Sequence, residues 1–248
     1  INSILNVNPL SNPLFFNHCR SCRNLIEENL LGFVSLLLVF IFINILTRKN
    51  YWLNLLINIS FFIRGFVLLF DHLIIQRSKG GDAGSFESFA AYWGSKGFPD
   101  IFDYFLYHGA SWTYANLISV IYGIFGRSHM MMEAINVFIG LLLIILSFKF
   151  TYLITLSKKK AYMISIIISL HPVVLFLSTI SLRDIIVIYL LTASIYYFTL
   201  WSKYNNFSYF SIAVVLTLSQ YYFHGPLVLL AFPMIFFFIF RISKSLFI

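Results

Sequence analysis

Two places in this sequence set charged side chains at the ends of apolar segments. Asp82 follows a glycine pair directly after one apolar run, and the segment from His171 to Asp184, HPVVLFLSTISLRD, ends in the adjacent Arg183 and Asp184. Charged groups at membrane depth are costly, so they are usually retained for function. A carboxylate can take a proton from a hydroxyl group, and an arginine can hold a phosphate leaving group. These residue types predict transfer chemistry on a phosphate-linked substrate.

Both groups also have a structural interpretation. Aspartate is a preferred residue at a helix N-cap, and a helix is predicted to begin near Ala83, so Asp82 could serve as its cap. Arg183 could pair with Asp184 at a helix junction. The sequence leaves both alternatives open.

Other polar or charged residues inside apolar segments are less strongly indicated as catalytic. Arg64 and Asp71 are seven positions apart, which places them on one helical face two turns apart. We predict that each reaches a partner on another helix, and a structural ion pair is favoured over a catalytic role. His171 precedes Pro172, whose ring removes a backbone donor and favours a kink, so His171 is expected to satisfy the opened helix.

The familiar chemistries of soluble enzymes have no signature here. The sequence contains no phosphate-binding loop, dinucleotide glycine fingerprint, zinc-protease helix or serine nucleophile elbow. Cys19 and Cys22, with His18, supply at most three ligands where structural zinc usually needs four. We predict no metal ligands among the site residues, and a divalent-metal requirement stays open.

The composition identifies a polytopic membrane protein. Of 248 residues, 60% are hydrophobic and 10% are charged, and the mean hydropathy is +0.86. A helix that crosses the hydrocarbon needs roughly 20 apolar residues. Continuous apolar runs without alternation indicate helices rather than barrel strands. We therefore predict an all-α fold with about seven transmembrane helices, at 30–47, 52–75, 131–156, 161–181, 185–201, 207–223 and 226–240.

The distribution of charge predicts the orientation. Four junctions carry only basic charges: Arg48 with Lys49, Lys158–Lys160, Lys203, and Arg241 with Lys244. Basic residues in short loops favour the cytoplasmic side, so the acids fall on the outer side. The net charge of +8 is explained by these loops, and we predict no nucleic-acid partner.

The chain divides into a polar or interfacial segment at 1–29 and a transmembrane domain at 30–248. The latter contains a long outer-face loop at 76–130, in which Phe86, Phe89, Ala90 and Trp93 follow helical spacing. We expect juxtamembrane helices there, with 116–125 interfacial or re-entrant because it is too short to span. The chain begins with Ile1 and stops within an apolar run, so we expect a fragment.

Several short motifs together resemble the GT-C glycosyltransferase superfamily, in particular its bacterial branch that builds surface polysaccharides. Gly81-Asp82 with Phe86 and Ala90 is similar to the family's first outer-loop pattern. The segment Ile121 to Gly126, followed by Asn136, is similar to its tyrosine-glycine-phenylalanine-glycine segment. Further matches are the helix from His171-Pro172 through Ser178 to Arg183-Asp184, and His224.

The resemblance implies roles for individual residues. Asp82 would be the general base that deprotonates an acceptor hydroxyl, and Arg183 would hold the donor phosphate. Asp184, His224 and Glu87 would support them. The chain departs from the family in having only seven predicted spans, in lacking further carboxyl-terminal helices, and in placing Asp82 after the second span.

The resemblance implies a glycosyltransferase in the bacterial cytoplasmic membrane, with its active site on the outer face. Its partners would be a polyprenyl-linked sugar donor, a glycan or lipid acceptor and the bilayer. A polysaccharide repeat-unit polymerase and a non-enzymatic transporter of lipid-linked sugars remain as alternatives.

Overall fold

The computed structural model describes residues 25–75, 81–97 and 112–236, and within these ranges it is helical with no strand. The all-α prediction is confirmed. The helices are α1 (Leu25–Thr47), α2 (Tyr51–Phe70), α3 (Gly81–Gly94), α4 (Thr113–Phe125), α5 (His129–Thr155), α6 (Lys158–Leu170), α7 (Pro172–Leu177), α8 (Asp184–Tyr204) and α9 (Phe207–Ser219). A π-helical turn (Asp71–Ile75) extends α2, and two 3₁₀ helices (Gln220–Tyr222 and Gly225–Leu230) follow α9. Cys19 and Cys22 lie outside the described residues.

Four helices, α1, α2, α5 and α8, are long and apolar enough to cross a membrane. Two of the remaining predicted spans, 161–181 and 207–223, are interrupted, and the predicted span 226–240 extends beyond the described residues. The 161–181 segment breaks at His171, as Pro172 predicts, so α6 and α7 together replace one continuous helix. The 207–223 segment forms a 13-residue helix and then tightens into a 3₁₀ turn.

The longest helix, α5, lies at the centre of the bundle. It packs against α1, α2, α6, α7 and α8, and its 27 residues extend about 40 Å at 1.5 Å per residue. Leucine and isoleucine side chains such as Leu141 and Ile144 are completely buried along it. In contrast, α1 and α2 expose large apolar side chains including Leu38, Phe62 and Phe66. Exposed apolar surface of this kind suits contact with lipid.

Amide side chains join α1 to α2 inside the apolar region. Asn44 donates to Asn58 over 3.0 Å, and Asn54 donates to Thr47 over 2.7 Å. Hydrogen bonds of this kind hold membrane helices together because hydrocarbon offers polar groups no alternative partner.

Three basic turns lie at the same end of the bundle. The α1–α2 turn is joined to α6 by the hydroxyl of Tyr162, which donates to the Asn50 side chain over 2.7 Å. The ammonium of Lys203 donates to the Leu153 carbonyl near the end of α5 over 3.4 Å. One side of the bundle therefore contains the starts of α2 and α6 and the end of α8, at Tyr51, Lys158 and Tyr204. The end of α2 and the starts of α5 and α8 lie on the other side.

Arg64 connects α2 to the broken helix. Its side chain is fully buried; Nε donates to the hydroxyl of Ser178 over 3.0 Å, and Nη1 donates to the carbonyl of Ser169 over 3.2 Å and to the Ser60 hydroxyl. Ser169 belongs to the last turn of α6, whose carbonyls have no partner within the helix. The arginine therefore satisfies a polar group that the break exposes. The partners on other elements are a hydroxyl and a carbonyl, so the contacts of Arg64 among the described residues are structural and do not include the predicted ion pair.

Gly140 of α5 lets the broken helix approach this closely. An added Cβ would lie 2.6 Å from Ser178 Cβ and 3.4 Å from Arg64 Nε, whereas an added Cβ on Gly65 would meet nothing within 4 Å. We predict that Gly140→Ala destabilises the protein by about 1–3 kcal/mol through overpacking. Gly65→Ala should be neutral or stabilising by about 1 kcal/mol because alanine favours the helix. Thermal unfolding in detergent measures both, and equal melting temperatures for the two variants would contradict the close approach.

Candidate active site at one end of the bundle

An aromatic cluster organises the end of the bundle opposite the basic turns. It joins α3, α4, the first turns of α5 and the end of the first 3₁₀ helix through Phe86, Tyr114, Tyr122, Met132 and Phe223. The start of α8 packs against it. Leu182 packs against it from the segment between α7 and α8, residues 178–183, which we call the corner. The cluster therefore draws together segments that are far apart in the sequence.

Asp82 lies at the open edge of this cluster. It is the second residue of α3 and is exposed, four residues before the buried Phe86 on the same helical face. The helix is described from Gly81 onward, so Asp82 belongs to its first turn. The free N–H groups of a first turn favour a nearby negative charge. Asp82 therefore presents a carboxylate to the surroundings.

Arg183 projects toward α3 from the end of the corner. Its guanidinium carbon lies 5.4 Å from the centroid of the Phe86 ring, within the range of a cation–π interaction. Since Phe86 is one helical turn beyond Asp82, the predicted phosphate-binding residue lies beside the helix that carries the predicted base. The fold brings Arg183 to Phe86, a residue 97 positions earlier in the sequence, on the helix that also carries Asp82.

The other predicted site residues lie around this pair. Asp184 is the first residue of α8 and is exposed, next to Arg183. His224 is exposed and follows Phe223, whose ring is buried in the aromatic cluster. His224 therefore lies at the same end of the bundle, at the junction of the two 3₁₀ helices.

Glu87 is held in an ion pair that sequence reasoning missed. Its two carboxylate oxygens accept from Nε and Nη2 of Arg127 over 2.8 and 2.9 Å. The Glu87 side chain is 5% exposed and the Arg127 side chain 38% exposed. This two-point geometry neutralises a buried carboxylate and ties α3 to the turn before α5. The sequence offered no signal for the pair because its members are 40 residues apart.

Sequence reasoning also assigned no role to a buried carboxylate beside two histidines. Glu133 is fully buried in the second turn of α5; its carboxylate lies 3.2 Å from Nε2 of His129 and 3.8 Å from Nδ1 of His72. His129 Nε2 is also 2.9 Å from the hydroxyl of Ser181 in the corner. The four-residue spacing of His129 and Glu133 was the available signal. Within the described part of the chain, no group of three or more His, Cys, Asp or Glu side chains has an arrangement that could hold a metal ion.

Two tyrosines of α4, which is too short to span the membrane, belong to the aromatic cluster. Tyr114 and Tyr122 are buried, and burial raises the pKa of each phenol above its ordinary value. Both side chains are therefore neutral hydrogen-bond donors. Tyr114 donates to Asn136 over 3.2 Å, and Tyr122 donates to the carbonyl of Ser128 over 3.1 Å.

The sequence motifs predicted a helical membrane bundle with a carboxylate and an arginine at one end, and the structure has this arrangement. Residues 104–219, a little under half of the chain, match the family model of dolichyl-phosphate-mannose-protein mannosyltransferases. The match confirms the predicted GT-C class: the chain is a membrane glycosyltransferase that uses a lipid-linked sugar donor. The matched region includes Arg183 and Asp184, and Asp82 precedes it. No curated protein and no solved structure is significantly similar to the chain.

The Glu87–Arg127 pair generates a stability prediction. Arg127→Gln leaves a buried carboxylate without its two-point partner, so we expect a loss of about 1–3 kcal/mol, moderated by the exposure of Arg127. Changing Glu87→Gln in the same protein should restore most of the loss because two neutral amides can pair. Lys96→Gln is the control, since that exposed cation lies over the rings of Tyr92 and Trp93 and pairs with no buried acid among the described residues. A double variant that unfolds at the same temperature as Arg127→Gln would contradict the assignment.

Proposed function

We propose that this chain transfers a sugar from a polyprenyl-phosphate donor to a glycan or lipid acceptor on the outer face of a bacterial cytoplasmic membrane, during assembly of a surface polysaccharide. The observation that carries the proposal is the position of the Arg183 guanidinium over Phe86, one helical turn beyond Asp82. That arrangement offers a base and a phosphate-binding cation at the same edge of the bundle.

In the proposed reaction, the Asp82 carboxylate accepts the proton of an acceptor hydroxyl. The acceptor oxygen then forms a bond to the anomeric carbon of the donor sugar as the bond from that carbon to the phosphate oxygen breaks. The polyprenyl phosphate leaves with the bonding electron pair, and the charge it gains is stabilised by Arg183. An arginine suits this task because its planar fork can hold two phosphate oxygens at once.

The supporting residues have distinct proposed tasks. Asp184, exposed beside Arg183, lies where it can orient the guanidinium or the acceptor. His224 is exposed at the same end and can donate a hydrogen bond to the sugar or phosphate. Glu87 acts indirectly, because its ion pair with Arg127 holds α3 in place.

The donor class follows from the matched family, whose name specifies a lipid monophosphate sugar. A repeat-unit polymerase would instead accept a pyrophosphate-linked oligosaccharide, so offering both donors separates the two functions. The transporter alternative is less consistent with Arg64, whose guanidinium is enclosed by Ser178, Ser169 and Ser60. A transport path would require such a charge to line a cavity open to the substrate.

The proposed role of Asp82 as the general base is tested by substitution. Asp82→Asn preserves side-chain size and removes proton-accepting capacity, so we predict that kcat for transfer from a polyprenyl-phosphate sugar falls by roughly 10²–10⁴. Ser88→Ala, which alters an exposed residue of the same helix, should retain full activity. Sugar transfer in membranes is measured against the amount of folded protein. A fully active Asp82→Asn variant would show that Asp82 has no catalytic role.

The orientation is tested by labelling in intact cells, after Cys19 and Cys22 have been changed to serine. Ser95 is exposed near the end of α3, and Lys158 is exposed at the basic end of the bundle. We predict that Ser95→Cys reacts with an impermeant thiol reagent, whereas Lys158→Cys reacts only after permeabilisation. The reverse pattern would place the proposed site in the cytoplasm and exclude an outer-face reaction.

A further inference from the structure

One buried side chain, that of Asn136, hydrogen-bonds two backbone carbonyls of the corner. The Asn136 amide nitrogen donates to the carbonyl of Ile180 over 2.6 Å and to the carbonyl of Leu182 over 2.8 Å. Asn136 is fully buried in the second turn of α5. Both carbonyls lie within three residues of Arg183, so this amide fixes the chain from which the guanidinium projects.

Tyr114 determines which way the Asn136 amide faces. Its hydroxyl donates to Asn136 Oδ1 over 3.2 Å, and the tyrosine is 1% exposed. An amide has one acceptor oxygen and one NH₂ group with two donors. Because the tyrosine occupies the oxygen, both donors are directed to the two corner carbonyls.

The same tyrosine supports the ring against which Arg183 lies. The Tyr114 and Phe86 rings meet edge to face, with centroids 5.7 Å apart and planes at 88°. Phe86 in turn lies under the guanidinium of Arg183. A closed set of contacts therefore runs from Tyr114 through Asn136 to the corner and Arg183, and returns through Phe86 to Tyr114.

This arrangement constrains the Arg183 side chain at two points, its backbone and its guanidinium. Asn136 positions the backbone that carries Arg183, and Phe86 positions the far end of its side chain. Neither Tyr114 nor Asn136 is exposed, so both act on a substrate only through Arg183. Such support matters because a reactive group displaced by about 1 Å can lose roughly 10²-fold in rate.

We propose that Tyr114 and Asn136 are positioning residues that set the guanidinium of Arg183 at the donor phosphate. The inference rests on the proposed role of Arg183 as the phosphate-binding residue. It assigns specificity for the donor to two residues that never touch it.

The test is a double-mutant cycle with a polyprenyl-phosphate sugar as the varied donor. Tyr114→Phe keeps the ring against Phe86 and removes the hydrogen bond to Asn136. We expect kcat/KM for the donor to fall about fivefold to tenfold, the size of one lost hydrogen bond, while KM for the acceptor is unchanged. Arg183→Lys should also lower kcat/KM for the donor. In the double variant, Tyr114→Phe should add less than twofold, because the fork that it positions is already absent.

Tyr122→Phe is the matched control. It removes a buried hydroxyl from the same helix, but that hydroxyl donates to the Ser128 carbonyl at the start of α5. We expect kcat/KM for the donor to stay within twofold in this variant. Asn136→Ser retains one donor group and weakens the hydrogen bonds to the corner carbonyls directly. This variant should lower donor kcat/KM more than Tyr122→Phe does.

The outcomes separate the two proposals. If Arg183→Lys leaves donor kcat/KM unchanged, the phosphate-binding role is wrong and the positioning role fails with it. If Arg183→Lys lowers donor kcat/KM and Tyr114→Phe has no effect, or has its full effect in the double variant, the proposed function stands and the positioning inference is overturned.

Discussion

A backbone carbonyl inside a membrane has no water to bond with, and this constraint governs the region between α6 and α8. The chain breaks at His171-Pro172 and then turns through the corner, which exposes carbonyls that a continuous helix would satisfy. Arg64 donates to the carbonyl of Ser169, and Asn136 donates to the carbonyls of Ile180 and Leu182. The interruption is tolerated because side chains of α2 and α5 replace the missing backbone donors.

The groups that stabilise this interruption also determine where the proposed site lies. The corner places Arg183 immediately before the start of α8, and the aromatic cluster holds α3 beside it. Had α6 continued without a break, the chain would leave the bundle elsewhere and the arginine would lose its contact with Phe86. Stability and site geometry therefore depend on the same hydrogen bonds.

The acids of the site end fall into two groups with different environments. Glu87 and Glu133 are buried, and each lies against a basic side chain, Arg127 for the former and His129 for the latter. Asp82 and Asp184 are exposed at the edge of the bundle. A buried carboxylate requires a partner to offset the loss of hydration, whereas an exposed one can meet a substrate. This division is consistent with a reaction at Asp82 and structural tasks for the buried acids.

The sequence by itself determined the all-α membrane class and the break at Pro172, because apolar length and the missing proline donor act locally along the chain. Of the seven spans that it predicted, four are continuous helices of membrane-crossing length among the described residues. The sequence also singled out Asp82 and Arg183 through motif resemblance. It could not reveal the Glu87–Arg127 pair, the approach of His72 to Glu133 or the link from Tyr114 through Asn136 to the corner. Those contacts join residues on different helices, and only the packing of α3, α4 and α5 decides which distant side chains meet.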